Sequence, residues 1–304
     1  MTPFRILCLD GGGIRGIFTA VLLNRLQTEC PTRIDSLDMV AGTSTGGIIA
    51  LGLAAGLQPI DGVRLYRSFG PAAFRQSFWR RISNPFGLFR AKYDNLDLKE
   101  QLENVFSNRR LRDLEKRVLI TSFDLDATKN GRRAWKAKFF HNFPNEDSDG
   151  HELIVDVAMR TSAAPTFFPT YQGFVDGGVV ANNPSLAALA QARDVQAGNM
   201  PLENIRLFSL NTGELLRFVE GERKDWGVLP WAPSLVRIIT EGVSGVTDFQ
   251  CRQLLGDAQY HRLQPVLREN IRLDDVSQID RLVALAERVD LTETAVWLKA
   301  HFLG

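Results

Sequence analysis

Residues Phe4–Gly16 read FRILCL-DGGGIRG, and this stretch decides the fold. A short apolar run such as Phe4–Leu9 is the pattern of a parallel strand buried on both faces. It stops at Asp10 and three glycines, after which Ile17, Val21, Leu22 and Leu26 recur at helical spacing. The unit then repeats. Leu37–Ala41 is a second strand and Thr45–Ala55 a helix of small and apolar residues. Arg117–Asp124 and Ile205–Asn211 are further buried strands, with helical spacing over 97–107 and 184–197. Strands alternating with helices predict an α/β fold, a three-layer α/β/α arrangement around a mostly parallel central sheet. Past about residue 230 the strand signals fade. Residues 274–302 read as helical, with Ile279, Leu282, Val283 and Ala286 on one stripe. The expected division is a core over 4–215 and a mainly helical C-terminal extension over 216–304.

Composition narrows the function. Of 304 residues, 44% are hydrophobic and 23% charged, a globular balance that excludes a disordered chain. The 36 Lys+Arg against 35 Asp+Glu leave a formal charge of +1, so no nucleic-acid partner is expected. Cys8, Cys30 and Cys251 are odd in number and far apart. They form neither a disulfide framework nor a zinc spacing, which points to a reducing, cytoplasmic setting. The first apolar run is too short for a signal peptide. Residues 39–60 carry no charge and are long enough to cross a bilayer. Thr43, Ser44 and Thr45 among Gly42, Gly46 and Gly47 fit a strand, a tight turn and a buried helix better.

Two glycine motifs carry the chemistry. Gly11, Gly13 and Gly16 satisfy G-x-G-x-x-G after a strand. Alone, that reads as a dinucleotide loop with Asp35 or Asp38 on the ribose, or as a turn without a ligand. No Lys-Ser or Lys-Thr follows, so a Walker loop is excluded. Gly42-Thr43-Ser44-Thr45-Gly46 is G-x-S-x-G between a strand and a helix, the setting of a nucleophile elbow. The helix start aims N–H groups at charge developing beside Ser44. With such a serine nearby, Gly11, Gly12 and Gly13 become backbone donors to an oxyanion. A base is also needed. His141, His151, His261 and His301 all lie outside glycine-rich turns, whereas Asp176 sits in Gly173-Phe174-Val175-Asp176-Gly177-Gly178. A D-G-G is also an ordinary hairpin turn, and the order Ser44, Asp176, then His261 or His301 is that of an α/β-hydrolase triad.

Three separated motifs, Asp10–Gly16, Gly42–Gly47 and Asp176–Gly178, resemble those of the patatin-like phospholipases in the same order. Weaker likeness continues through Lys92-Tyr93-Asp94, Ser122-Phe123-Asp124 and Ser162–Pro169 to about residue 265. Asn211 departs from the family's usual glycine, away from the serine and aspartate. The resemblance implies a lipid acyl hydrolase, of phospholipase A or lysophospholipase type, that acts on fatty acyl esters of glycerolipids. It implies Ser44 as nucleophile and Asp176 as direct base. Gly11, Gly12, Gly13 and Arg15 would form the oxyanion loop, and no metal or cofactor would take part. Such a base requires burial, because a free Asp near ~3.9 is a poor base at neutral pH.

Between Asp61 and Asp94 there is no acid. Arg64, Arg67, Arg75, Arg80, Arg81, Arg90 and Lys92 are interleaved there with Phe69, Phe74, Phe78, Trp79, Phe86, Phe89 and Tyr93. Basic groups beside aromatics suit an anionic bilayer and a lid, and equally a basic face over packed rings. Trp226–Trp231 is either another rim loop or a packed connector. The expected partner is a phospholipid or other glycerolipid, met during transient association with the membrane surface.

Overall fold

Five consecutive strands of the sheet run parallel, and their side chains feed cores on both faces. The computed structural model describes residues 3–29, 36–74, 90–216, 218, 225 and 227–302. In chain order the first elements are β1 (Phe4–Leu9), α1 (Gly16–Glu29), β2 (Met39–Thr43), α2 (Thr45–Ala54), α3 (Pro59–Ala73) and α4 (Leu96–Phe106). Then come β3 (Arg117–Lys129), β4 (Arg132–His141), α5 (Ile154–Thr161), β5 (Phe174–Asp176), α6 (Gly178–Ala181) and α7 (Ser185–Arg193). Last are β6 (Ile205–Leu210), β7 (Glu214–Leu215), α8 (Val228–Leu255), β8 (Tyr260–Leu263), β9 (Val266–Leu267), α9 (Ile279–Ala286) and α10 (Thr292–Trp297).

The layers follow from alternation along the strands. Leu7, Leu9, Val40, Val118 and Ile120 join a core with residues of α1, α2, α4, α5 and α9. Ile6, Cys8, Met39, Ala41 and Leu119 join a second core with Ala188 and Leu189 of α7 and Leu255 of α8. Both cores flank one sheet, which is the three-layer α/β/α arrangement the sequence predicts. The uncharged stretch 39–60 is mainly β2, a turn and α2. Among the described residues, no helix is long and apolar enough to cross a membrane.

The strand order is β4-β3-β2-β1-β6-β8, with β5 also on β3. From β1 the chain builds outward through β2 to β3, then returns to place β6 on the other side of β1. The turns after β1 and β6 diverge at that switch, and such crevices at strand carboxyl ends are where α/β sheets hold ligands. The sequence reading names β1, β2, β3 and β6 and misses β4, β5, β7, β8 and β9. Beyond residue 230, where strand signals fade, Tyr260–Leu263 adds parallel to β6. Tyr260 and Arg262 are buried while His261 and Leu263 are half-buried. A four-residue strand with His261 and Arg262 at its centre lacks the apolar run that marks the others.

β3 acts as a ruler. Its residues 117–121 pair with β2, ending at Thr43 opposite Thr121. The next residues, Ser122–Asp124, pair with β5, placing Asp176 opposite Ser122. Those same residues pair with β4 as well, so β5 occupies the edge of β3 that β2 has just vacated. The residue after β2 and the last residue of β5 therefore arrive side by side.

Candidate active site

Those two residues are Ser44 and Asp176. Ser44 sits between β2 and α2 with φ 54° and ψ −124°, a region that costs a non-glycine residue of order 1–3 kcal/mol. The turn closes tightly: a Cβ on Gly42 would strike the Gly46 carbonyl, and one on Gly46 would strike the backbone of Leu9 and Asp10. Hydroxyls brace it from behind. The Ser44 N–H donates to Thr161 Oγ1 at 2.9 Å, and Thr161 donates to the Thr121 carbonyl at 2.6 Å. Thr121 donates to Thr43 Oγ1 at 2.7 Å, and Thr43 to the Ala181 carbonyl at 2.6 Å. The elbow, β3 and the helix after Asp176 are thus tied together by Thr43 of the elbow motif and by Thr121 and Thr161, which no motif marks.

Asp176 is 6% exposed. Its carboxylate accepts hydrogen bonds from the Ser44 side chain and from the Gly178 N–H, the latter at 2.7 Å. Burial outweighs both bonds and raises the carboxyl from 3.8 to about 6. Gly177 is needed for close packing, since a Cβ there would strike Thr121.

The glycine turn after β1 lies against the elbow. A Cβ on Gly11 would strike Asn182 Oδ1 and stand 3.3 Å from Ser44 Cβ. Gly12 faces Thr212, and Gly13, at φ 56°, faces the Leu273 carbonyl. The glycines are therefore approached by the protein's own chain, which accounts for them without a pyrophosphate. Asp38, a candidate ribose acid, instead accepts the Arg5 N–H at 2.8 Å; Asp35 lies outside the described residues.

Two of the four expected oxyanion donors are otherwise engaged. The Gly11 N–H donates to the Asn182 carbonyl at 3.1 Å, and Arg15 Nη1 donates to the Gly213 carbonyl at 2.9 Å. Arg15 ties the turn after β1 to the turn after β6. Below the loop, Asp10 is fully buried and accepts from Nη1 and Nη2 of Arg262, at 3.2 and 2.6 Å, and from Asn211 Nδ2 at 3.0 Å. Asn211 is thus apart from Ser44 but part of the support beneath the glycines. Sequence reasoning missed Arg262, whose strand it did not see, and Asn182, which follows the D-G-G turn in an unremarkable N-N-P.

Ser44, Asp176 and Gly11–Gly13 border one cavity of about 870 Å³. Its walls include Ile49 and Leu53 of α2, Leu65 of α3, and Leu98, Leu102 and Phe106 of α4. All four histidines lie elsewhere. His141 is buried at the end of β4 and His151 stands 3.8 Å from Glu152. The His261 ring is stacked between Phe208 and Trp297 with Nε2 2.9 Å from Thr294 Oγ1. His301 is exposed near the C-terminus. Burial lowers the pKa of His141 and of His261.

Of the basic-aromatic interval, Arg75, Phe78, Trp79, Arg80, Arg81, Phe86 and Phe89 lie outside the described residues, as does Trp226 of the second cluster. Phe74 and Tyr93 turn inward, packing with Phe168 at centroid distances of 5.6 to 5.8 Å. Lys92 pairs with Asp274, to which the Tyr93 hydroxyl also donates at 2.9 Å.

The family model described as Patatin-like phospholipase matches residues 7–189. The chain is 32% identical to Protein teg of Priestia megaterium, covering 96% of each. It is 31% identical to the cGAMP-activated phospholipase of Pseudomonas aeruginosa, over 92% of this chain and 83% of that protein. Patatin-like protein 2 of Arabidopsis thaliana is 27% identical over 94% of this chain and 81% of its own. Fold and family together define a lipid hydrolase. The chain belongs to the patatin-like phospholipase family.

Proposed function

We propose that the protein is a serine acyl hydrolase that cleaves fatty acyl esters of glycerophospholipids with a Ser44–Asp176 dyad. The observation that carries this reading is Asp176: a buried carboxylate, hydrogen-bonded to Ser44, with its pKa raised to about 6. A base poised near the working pH is what proton transfer requires. In acylation, the Asp176 carboxylate takes the Ser44 hydroxyl proton as Oγ bonds to the ester carbonyl carbon. The carbonyl electron pair moves onto oxygen, where the N–H groups of Gly12 and Gly13 receive the charge, since Gly11 is committed to Asn182. Collapse re-forms the carbonyl and breaks the ester C–O bond. Asp176 returns its proton to the departing glycerol oxygen. Water then repeats the sequence on the acyl-enzyme and releases the fatty acid.

The apolar cavity suits an acyl chain, and the buried free thiols Cys8 and Cys251 suit a cytoplasmic site of action. A fluorophosphonate probe should label Ser44 in the parent, and Ser44→Ala should lose both labelling and hydrolysis of a short-chain ester. Labelling of Ser44→Ala to the parental level would overturn the assignment.

A further inference from the structure

β3 does not stop at the level of Ser44. Past Thr121 it runs eight residues further to Lys129, roughly 25 Å along the strand at ~3.3 Å per residue. It turns there and returns as β4, pairing antiparallel from Lys129↔Arg132 to Leu119↔His141. Because β3 is parallel to β1 and β2, this hairpin projects from the carboxyl side of the sheet, the side that carries Gly11–Gly13, Ser44 and Asp176. Its root is the stretch of β3 that holds β5 and Asp176 in register.

The hairpin carries an unusual pair of features. Trp135 is 75% exposed and meets Phe123 edge-on, with 6.4 Å between ring centroids. The projecting residues 122–140 contain Lys129, Arg132, Arg133, Lys136 and Lys138 against Asp124 and Asp126, an excess of three cations. Arg132, Arg133 and Lys136 are exposed. Arg133 pairs with Asp126, with Nη2 at 2.6 Å from Oδ2, while Arg132 and Lys136 form no ion pair among the described residues. Cations on an outer strand ordinarily guard it against pairing with another chain. That guard needs charge alone and gives no reason to hold an indole in water. Trp among Arg and Lys is instead the composition of a surface that meets the polar–apolar boundary of an anionic bilayer.

We propose that the β3–β4 hairpin docks the protein on an anionic lipid bilayer. Trp135 enters the headgroup boundary, and Arg132 and Lys136 meet the lipid phosphates. Docking there turns the Ser44 face of the sheet towards the membrane. The purpose rests on the hydrolase reading above; the binding does not, and it is measured apart from hydrolysis.

The test is sedimentation with sucrose-loaded vesicles, of phosphatidylcholine alone or mixed with phosphatidylglycerol. The parent should favour the mixed vesicles and lose affinity as salt rises. Arg132→Gln with Lys136→Gln should weaken that binding about 25-fold, about fivefold for each cation removed. Trp135→Ala should weaken it several-fold, while turnover of a soluble ester stays near parental in both variants. Quenching of tryptophan emission by lipids brominated in the acyl chain should drop in the conservative Trp135→Phe variant. Unchanged sedimentation in the variants overturns the proposal. So does an equal loss of soluble-ester turnover, which makes the hairpin a structural part of the site. A parental dimer abolished by these substitutions also overturns it, because the strand edge then serves a second copy. A parent that sediments with anionic vesicles through this hairpin yet cleaves no ester refutes the hydrolase reading and leaves the docking surface standing.

Discussion

Asp176→Asn should make the enzyme nearly inactive and the protein more stable. In the folded state, burial raises the Asp176 carboxyl from 3.8 to about 6, against hydrogen bonds from Ser44 and Gly178 that favour the charged form. That gap corresponds to roughly 3 kcal/mol borne by the carboxylate above pH ~6. The sign follows from proton binding. Between pH 3.8 and about 6 the folded state keeps a proton that the unfolded state has released. Stability therefore falls as pH rises through this window and stays low above it. An amide does not titrate. Its oxygen can accept the Gly178 N–H and its nitrogen can donate to Ser44 Oγ, so shape and pairing survive. Urea unfolding followed by circular dichroism at a series of pH values should show the variant ahead by roughly 3 kcal/mol near pH 8. The advantage should shrink through pH 6 to 4 and vanish below. Turnover of a soluble ester should fall ~10²–10⁴-fold, and in the parent it should rise with pH through an apparent pKa of about 6. A variant less stable than the parent at pH 8, or a difference independent of pH, would refute the claim that Asp176 is held charged against its burial.

Two further outcomes probe the surroundings of the site. His261→Gln should leave ester turnover within several-fold of the parent, because the ring packs between Phe208 and Trp297 and does not line the cavity; a collapse matching that of Asp176→Asn would make His261 part of a triad. Arg262→Met should lower stability in urea by ~3–5 kcal/mol, because it strips the buried Asp10 carboxylate of its cation, and a loss below 1 kcal/mol would mean that Asn211 and water suffice.

The sequence makes the parallel strands legible because each is a short apolar run, and a strand buried on both faces needs little else. β1, β2, β3 and β6 all fall where FRILCL and its counterparts predict them. β8 was hidden for the opposite reason. Arg262 is buried for the sake of Asp10, a residue 252 positions away, and no local pattern distinguishes an arginine paired in the core from one on the surface. The glycine loop was legible as a loop, but which N–H groups stay open was not. That depends on the Asn182 carbonyl reaching Gly11, a contact between turns far apart in the chain.

The same limit explains why Ser44 and Asp176 could be named as nucleophile and candidate base, while the geometry of their meeting could not be read from the sequence. Their meeting is a matter of register. β2 ends opposite Thr121, β5 ends opposite Ser122, and a slip of one residue in either pairing would turn side chains to the other face of the sheet. Thr43, Thr121 and Thr161 fix that register with side-chain hydrogen bonds across the three elements. β3 then runs past the site as the exposed hairpin, so one continuous strand aligns nucleophile with base and carries Trp135 beyond them. Substitutions in its first half should act on the geometry of the dyad, and those in its second half on where the protein meets lipid.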